Sequence, residues 1–308
     1  MSGTVRGGVA EFPGSSCGGR DGSSAARSAV FLRYRSDIAA TQTSWEGLTI
    51  LVTGATSGIG AQTAARLAAG GAHLLAHGRS PDRVDALVGE LRAAGGRADG
   101  LVADLASLAE VAELARRISL PLDLLINNAG VGFGANRRAR ETSQDGFELR
   151  LAVNYLAPFV LTRALLARGL PTRAVVNVAS AGQQSLDLDD LQGRHDYDGL
   201  RAYCRSKLAL IMFTLDQAKE HPALTFNALH PGTYLDTGMV RDAGITPLGP
   251  ASRGADSILH VLDAALNQHT TGAYFDQQRV TRADAQAYDV TVRRALRAQT
   301  TELVRRFL

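Results

Sequence analysis

From Trp45 onward the chain alternates short apolar runs with longer stretches in which apolar residues recur every three or four positions. The short runs, Leu48–Thr53, Ala72–His77, Ala98–Ala103, Leu122–Asn127, Ala174–Ala179, Leu224–His230 and Ala273–Phe275, predict seven strands. Helical spacing falls between them, near residues 58–70, 81–95, 107–118, 143–168, 200–220 and 250–268. Strands that are apolar on both sides and separated by helices have to be covered on both faces. The expected fold class is therefore α/β: a doubly wound parallel sheet of about seven strands with helices on both faces, in a single domain over residues 46–308. Sheets of this kind take ligands at the carboxyl ends of their strands. Residues 1–45 show no apolar period and carry five Arg against three acids, Glu11, Asp21 and Asp37. A disordered tail, or a start codon placed too early, is expected there; the early acids argue against a transit peptide.

Composition narrows the function classes. With 45% hydrophobic and 20% charged residues the chain has the makings of a sizeable core. The net charge of +3 comes from Arg interleaved with Asp and Glu rather than from basic blocks, which argues against a nucleic-acid partner. No window reaches the ~18 consecutive apolar residues of a spanning helix, and no apolar signal core stands at the N-terminus, so a cytoplasmic protein without a membrane span is expected. Cys17 and Cys204 are too far apart in sequence and setting to suggest a disulfide framework or a metal site. Only Lys207 and Lys219 are lysines in this Arg-rich chain, which singles out a Lys at a motif position.

Two constellations carry chemistry. The first strand runs into Thr53-Gly54-Ala55-Thr56-Ser57-Gly58-Ile59-Gly60 and then a helix. Glycines there allow a sharp turn and close approach to a pyrophosphate, which the free N–H groups and dipole of the helix start then stabilise. About 20 residues on, where a ribose-reading acid would mark NAD(H), the second strand ends in His77-Gly78-Arg79. A neutral Gly78 followed by a cation suits a 2′-phosphate, so NADP(H) is expected over NAD(H), the alternative being that Arg79 is a solvated loop charge. In the second constellation, Tyr203 and Lys207 lie four apart and share a helix face. An ammonium beside the phenol, together with the positive nicotinamide of an oxidised cofactor, favours the phenolate and draws its pKa below the usual ~10.

The T-G-x-x-x-G-x-G spacing, Asn127-Asn128-Ala129-Gly130 after the fourth strand, Ser180 beyond the fifth and Tyr203-Cys204-Arg205-Ser206-Lys207 together resemble the short-chain dehydrogenase/reductase family. Ser57 stands where the extended, sugar-nucleotide-modifying branch has its middle glycine, which sets that branch aside. The resemblance implies hydride transfer between a nicotinamide and an alcohol or carbonyl carbon, with Tyr203 as acid/base. Lys207 would also bond the nicotinamide ribose, Ser180 would hydrogen-bond the substrate oxygen, and Asn154 would hold a water in a proton relay or act as a structural hydrogen-bonder. It further implies a cofactor site of Gly54, Thr56, Ser57, Gly58, Ile59, Gly60 and Arg79. Asp104 and Leu105 would meet the adenine, with a helix N-cap as the alternative for Asp104. In the cofactor-site segment Asn128, Ala129 and Gly130, the small residues would leave room for the adenine ribose and Asn128 would tie adjacent strands together. Pro231 and Gly232 would face the carboxamide. The segment after Gly232 is one residue longer than the family's usual spacing, leaving Thr233 or Thr237 as the cofactor contact.

Leu186–Leu191, Gly272–Phe275 and Ala285–Asp289 resemble the retinol-dehydrogenase-like subgroup, whose members generally prefer NADP(H). Several of them have an N-terminal membrane anchor that is not expected here. The expected partner is a small-molecule alcohol or carbonyl compound, and a homo-oligomer is allowed. Residues 181–200 and 234–250, which would line the substrate pocket, mix apolar and polar side chains and leave substrate identity open. A competing function is a nucleotide sensor that keeps the fold without chemistry. Such proteins usually lack the Tyr or the Lys, whereas Asn154, Ser180, Tyr203 and Lys207 are all present.

Overall fold

The structure is a computed structural model that describes residues 44–134 and 136–308, so most of the expected tail and Cys17 lie outside it. Every predicted strand forms: β1 (Thr49–Val52), β2 (His73–Gly78), β3 (Arg97–Val102), β4 (Leu124–Asn127), β5 (Ala174–Val178), β6 (Thr225–His230) and β7 (Ala273–Asp276). These seven are parallel, and an eighth, β8 (Arg279–Thr281), turns back antiparallel on β7. Its three residues are exposed, so no apolar run announces it. Side-chain alternation along the strands builds two cores. Ile50, Val52, Leu74, Ala76, Leu124, Ile126, Val176 and Val178 pack under α1 (Gly58–Ala69), α2 (Pro81–Ala93) and, further along the chain, a helix over Ser252–Asn267. On the other face Leu51, Leu75, Leu125 and Val175 pack under α3 (Leu108–Arg117), α4 (Leu149–Leu166) and α5 (Gly199–Glu220). A slip of one residue in any central strand would exchange its two apolar sets between these cores.

α6 (Gly238–Asp242) is a short helix after β6, α7 is the helix over Ser252–Asn267, and α8 (Val290–Val304) closes the chain against α5. Helix α4 starts at Leu149 rather than near 143, because Thr142 and Glu148 form a bridge that holds the preceding turn. Its Ala152–Leu156 turn is a π-helix, with the Ala157 N–H reaching the Ala152 carbonyl. Among the described residues α4 alone is long and apolar enough to cross a membrane, but 78% of it is buried inside the fold, so its apolarity serves the core.

Strand order is β3-β2-β1-β4-β5-β6-β7-β8. The chain winds from β1 out to β3, then returns to place β4 on the other side of β1. That reversal opens a crevice at the carboxyl ends of β1 and β4, the place where such sheets bind ligands.

Candidate active site

The glycine-rich turn and the Asn127–Gly130 segment meet across this crevice. Gly54 has φ +66, and a Cβ there would come within 2.9 Å of the Ala129 Cα; a Cβ at Gly60 would overlap the Gly54 carbonyl. Only glycine lets the three backbones approach so closely. The Asn128 side chain fastens them, its Nδ2 donating to the carbonyls of Thr53 (2.8 Å) and Gly54 (3.3 Å), while the Thr53 hydroxyl accepts from the N–H groups of Asn128 and Ala129. Below, Asn127 Nδ2 donates to Asn177 Oδ1 at 2.8 Å, and Asn177 Nδ2 donates to the Thr214 hydroxyl at 2.9 Å, a buried polar ladder from β4 through β5 to α5. Ser57, the N-cap of α1, makes no side-chain capping bond, and no acid stands in that helix's first turn. Its first N–H groups and dipole are thus left for an external anion.

At the end of β2, Arg79 is exposed and makes no hydrogen bond or ion pair with another described residue. Gly78 is buried and does not have positive φ, but a Cβ on it would come within 2.6 Å of Thr56 Cγ2 and 2.9 Å of Val84 Cγ2. Thr56 thus fills the space a ribose-reading acid would need. Asp104 does not cap a helix, since Ser107 is the N-cap of α3; its Oδ1 accepts from the Ala106 N–H and its Oδ2 from Gln144. Leu105 is buried, and Ile59 packs on Gly254 of α7. Beyond β6, buried Pro231 leads through Gly232 to the two candidate threonines. Thr233 is exposed and bonded to His230 Nε2, whereas the Thr237 side chain caps α6 and lies where a Gly58 Cβ would meet its methyl at 3.1 Å. Of the two, Thr237 is the one at the glycine-rich turn.

Asn154, Ser180, Tyr203 and Lys207 converge beside the same crevice. The Ser180 hydroxyl accepts from the Gly182 N–H at 3.0 Å and stands beside the Tyr203 ring, a Cβ on Gly182 lying 3.5 Å from Ser180 Oγ and 3.8 Å from Tyr203 Cε1. With that lone pair engaged, the Ser180 proton is free to point at the phenol or at a substrate oxygen. Two donors, Tyr274 OH (2.9 Å) and Gln183 Nε2 (3.0 Å), fix the Ser180 carbonyl. Lys207 Nζ donates to the Val178 carbonyl at 2.8 Å and stands 5.9 Å from the centre of the Tyr203 ring. A Cβ on Gly130 would lie 3.3 Å from that ammonium and 3.1 Å from Asn154 Oδ1, so the glycine keeps this pocket open.

Asn154 lies within the π-turn of α4. Its Oδ1 accepts from the Val131 N–H (2.8 Å) and its Nδ2 donates to the Val131 carbonyl (3.1 Å) and the Ser206 hydroxyl (3.0 Å). The side chain is therefore consumed in positioning. Four residues on stands Pro158, which has no N–H to give the Asn154 carbonyl in α-helical register.

Electrostatics correct one expectation. Burial pushes the Tyr203 phenol above its usual value, against the lowering effect of the Ser180 hydrogen bond, and burial lowers Lys207 to about 8. Among the described residues, desolvation by burial sets the direction of the phenol's shift. Cys204, half-buried on the same helix, has its thiol pushed up by burial.

Residues 48–246 match the family profile described as short chain dehydrogenase. The chain belongs to the short-chain dehydrogenase family. It is 38% identical over 246 residues to the protein named daunorubicin C-13 ketoreductase DnrU of Streptomyces sp. (strain C5), covering 76% of this chain and 84% of that one. It is 34% identical over 286 residues to human retinol dehydrogenase 13, covering 84% and 85%, in keeping with the retinol-dehydrogenase-like character of the sequence. Among solved structures, an uncharacterised protein of Mycobacterium paratuberculosis superposes with TM-score 0.72 and 31% identity, over 87% of this chain and 97% of that one. A short chain dehydrogenase from Escherichia coli CFT073 in complex with NADPH does so with TM-score 0.61 and 28% identity, over 76% and 97%.

The family motifs do not include the groups that brace the site. Arg150, buried on the first turn of α4, donates from Nε to the Gly132 carbonyl (3.0 Å) and from Nη1 to Tyr197 OH (3.1 Å), and pairs with Glu141 and Glu148. Tyr197 OH in turn donates to Glu148 at 2.8 Å. This cluster joins α4, the loop after β4 and the segment entering α5. On that loop Phe133 meets Tyr203 edge-to-face, with ring centres 6.2 Å apart. Tyr274 falls within a segment whose subgroup resemblance flagged it; Arg150, Tyr197 and Gln183 carried no signal that spacing alone reveals.

Proposed function

We propose that this oxidoreductase uses NADP(H) to interconvert a secondary alcohol and a carbonyl compound, with Tyr203 as the acid/base. The observation that carries this reading is the meeting of Ser180, Tyr203 and Lys207 at the crevice lined by the glycine-rich turn and Asn128–Gly130. The residues suit the cofactor: uncapped N–H groups of α1 for a pyrophosphate, exposed Arg79, which has no partner among the described residues, for a 2′-phosphate, and Thr56 over Gly78 in the space of a competing acid. When bound, the nicotinamide supplies or accepts the hydride. Ser180 donates a hydrogen bond to the substrate oxygen as charge develops on it. Tyr203 then gives its phenolic proton to that oxygen in reduction, or takes one from the alcohol in oxidation. Held neutral by burial, the phenol is in the proton-donating form that carbonyl reduction needs. Lys207 holds a charge close to the phenol, and Asn154 fixes the Val131 loop against α4, beside the relay role that family resemblance suggests for it. Thr237 is the cofactor-facing threonine in this reading, Asp104 the adenine contact, and the substrate a partly apolar alcohol or carbonyl compound.

Tyr203→Phe removes the transferred proton and little of the cofactor contact. Turnover with a panel of carbonyl compounds is expected to vanish while NADPH affinity, read by fluorescence titration, stays near wild type. Residual activity above roughly a tenth, about 1.4 kcal/mol of barrier, would remove Tyr203 from the acid/base role. Binding of NADPH by the wild type without turnover of any carbonyl or alcohol would favour the nucleotide-sensing alternative.

A further inference from the structure

One buried ring links all three strand ends of the adenosine half of the crevice. His77, the second-last residue of β2, is 2% exposed. Its Nδ1 accepts from the Gly54 N–H at 3.3 Å, and its Nε2 lies 3.0 Å from the Ala103 carbonyl. A carbonyl can only accept, so Nε2 carries the proton and Nδ1 is bare; both bonds require this one neutral tautomer. The His77 carbonyl also accepts from the Ala55 N–H at 2.8 Å, so side chain and backbone together hold the glycine-rich turn. Ala103 immediately precedes Asp104, and His77 is followed by Gly78 and Arg79.

We propose that His77 is a positioning residue for the cofactor's adenosine half, setting the glycine-rich turn, Arg79 and Asp104 at fixed separations through the two bonds of its imidazole. The inference rests on the reading of this crevice as a dinucleotide site and is independent of which dinucleotide is preferred. Neither bond touches the catalytic group, so the role is confined to binding. Burial holds the ring's pKa at about 4, against the raising effects of the Ala103 hydrogen bond and of Asp104, so the required tautomer persists at neutral pH.

The test uses the full chain and three ligands: NADPH, NADH, and 2′,5′-ADP, which presents the adenosine half alone. His77→Leu should weaken all three ~5- to 10-fold, the loss falling on affinity and on cofactor KM rather than on kcat. His77→Asn offers an amide oxygen near the Nδ1 position and should restore most of that affinity. His77→Gln can donate to Ala103 but offers Gly54 no acceptor, and should behave like Leu; it replaces the Leu variant if that one does not fold. Arg79→Ala is the comparator and should weaken NADPH and 2′,5′-ADP by one to two decades with NADH unmoved, as expected for loss of a ~1.5–3 kcal/mol charge-assisted bond. If Arg79→Ala is neutral while His77→Leu weakens both dinucleotides, the NADP(H) preference fails and the role of His77 stands. Unchanged ligand affinity in His77→Leu or His77→Gln overturns the proposal, as does a fall in kcat in place of affinity. A wild-type protein that binds neither dinucleotide overturns the reading and the proposal together.

Discussion

His77 makes stability depend on acidity in a direction that can be worked out. Burial lowers its pKa from the usual 6.5 to about 4, so between those values the unfolded chain binds a proton that the folded chain refuses. Stability from this group is therefore complete above about pH 6.5 and is lost as pH falls through the folded pKa near 4, by up to ~3 kcal/mol. His230, lowered by burial against the pull of Asp276, adds to the same acid limb. Urea unfolding at pH 7 and pH 4.5 should show a larger loss for wild type than for His77→Asn, since Asn does not titrate. Equal losses would mean that the ring is solvated in the folded protein. Tyr203 and Lys207 are found by a spacing that a helix converts into proximity, whereas a His in a largely apolar strand, such as His73 or His77 in β2, looks the same whether it braces a turn or merely fills space.

Elements differ in how they transmit such constraints, and the Arg150 cluster is where three of them are locked together. Arg150 and Glu148 are each 2% or less exposed, so neither charge has water to turn to. Arg150→Met would leave the Glu148 carboxylate buried with Tyr197 OH and the Leu151 N–H as its neutral partners. A cost of about 3–5 kcal/mol in urea unfolding at pH 7 is expected, with much of it recovered when Glu148→Gln is added. A single-variant cost under about 1 kcal/mol would contradict the picture. None of this is legible from periodicity, because the pattern around Leu149–Leu166 predicts only a helix. The same limit explains the other misses. β8 pairs through its backbone with exposed side chains, and α6 is too short to show a period. The π-turn adds no change in composition, although Pro158 just after it was a visible sign of disturbed helical bonding. The central strands β1, β2, β4, β5 and β6 were legible because nearly all of their positions are buried on both faces, which writes largely apolar runs into the sequence, whereas β3 exposes Arg97 and Gly100 and shows a weaker run.

At the scale of the whole molecule, the doubly wound order gathers the turns after β1 to β6 on one edge, which is why residues as distant as Gly54 and Thr237 meet. The opposite edge carries no such chemistry and is held by packing. There Trp45 is 5% exposed, donates from its N–H to the Gly70 carbonyl at 3.2 Å, and lies so close that a Cβ on Gly70 would come within 2.5 Å of its ring. It seals the junction between the entry to β1 and the end of α1, joining the core that contains Ile50, Leu67 and Leu74. The sequence places the border of the folded domain at residue 45 or 46, and these contacts make that single position decisive. Removing residues 1–43 should leave the stability of residues 44–308 within about 0.5 kcal/mol of the full chain, because Trp45 and its contacts among the described residues are retained. Removing residues 1–46 deletes the indole, leaving a gap beside Gly70 in the core that Leu67 and Ala68 share, and should cost about 3–5 kcal/mol. Urea midpoints of the two truncations, with circular dichroism to check folding, separate the cases. Equal stability of both would show that Trp45 is dispensable to the core, and a large loss already in the shorter deletion would show that the leading 43 residues contribute to it.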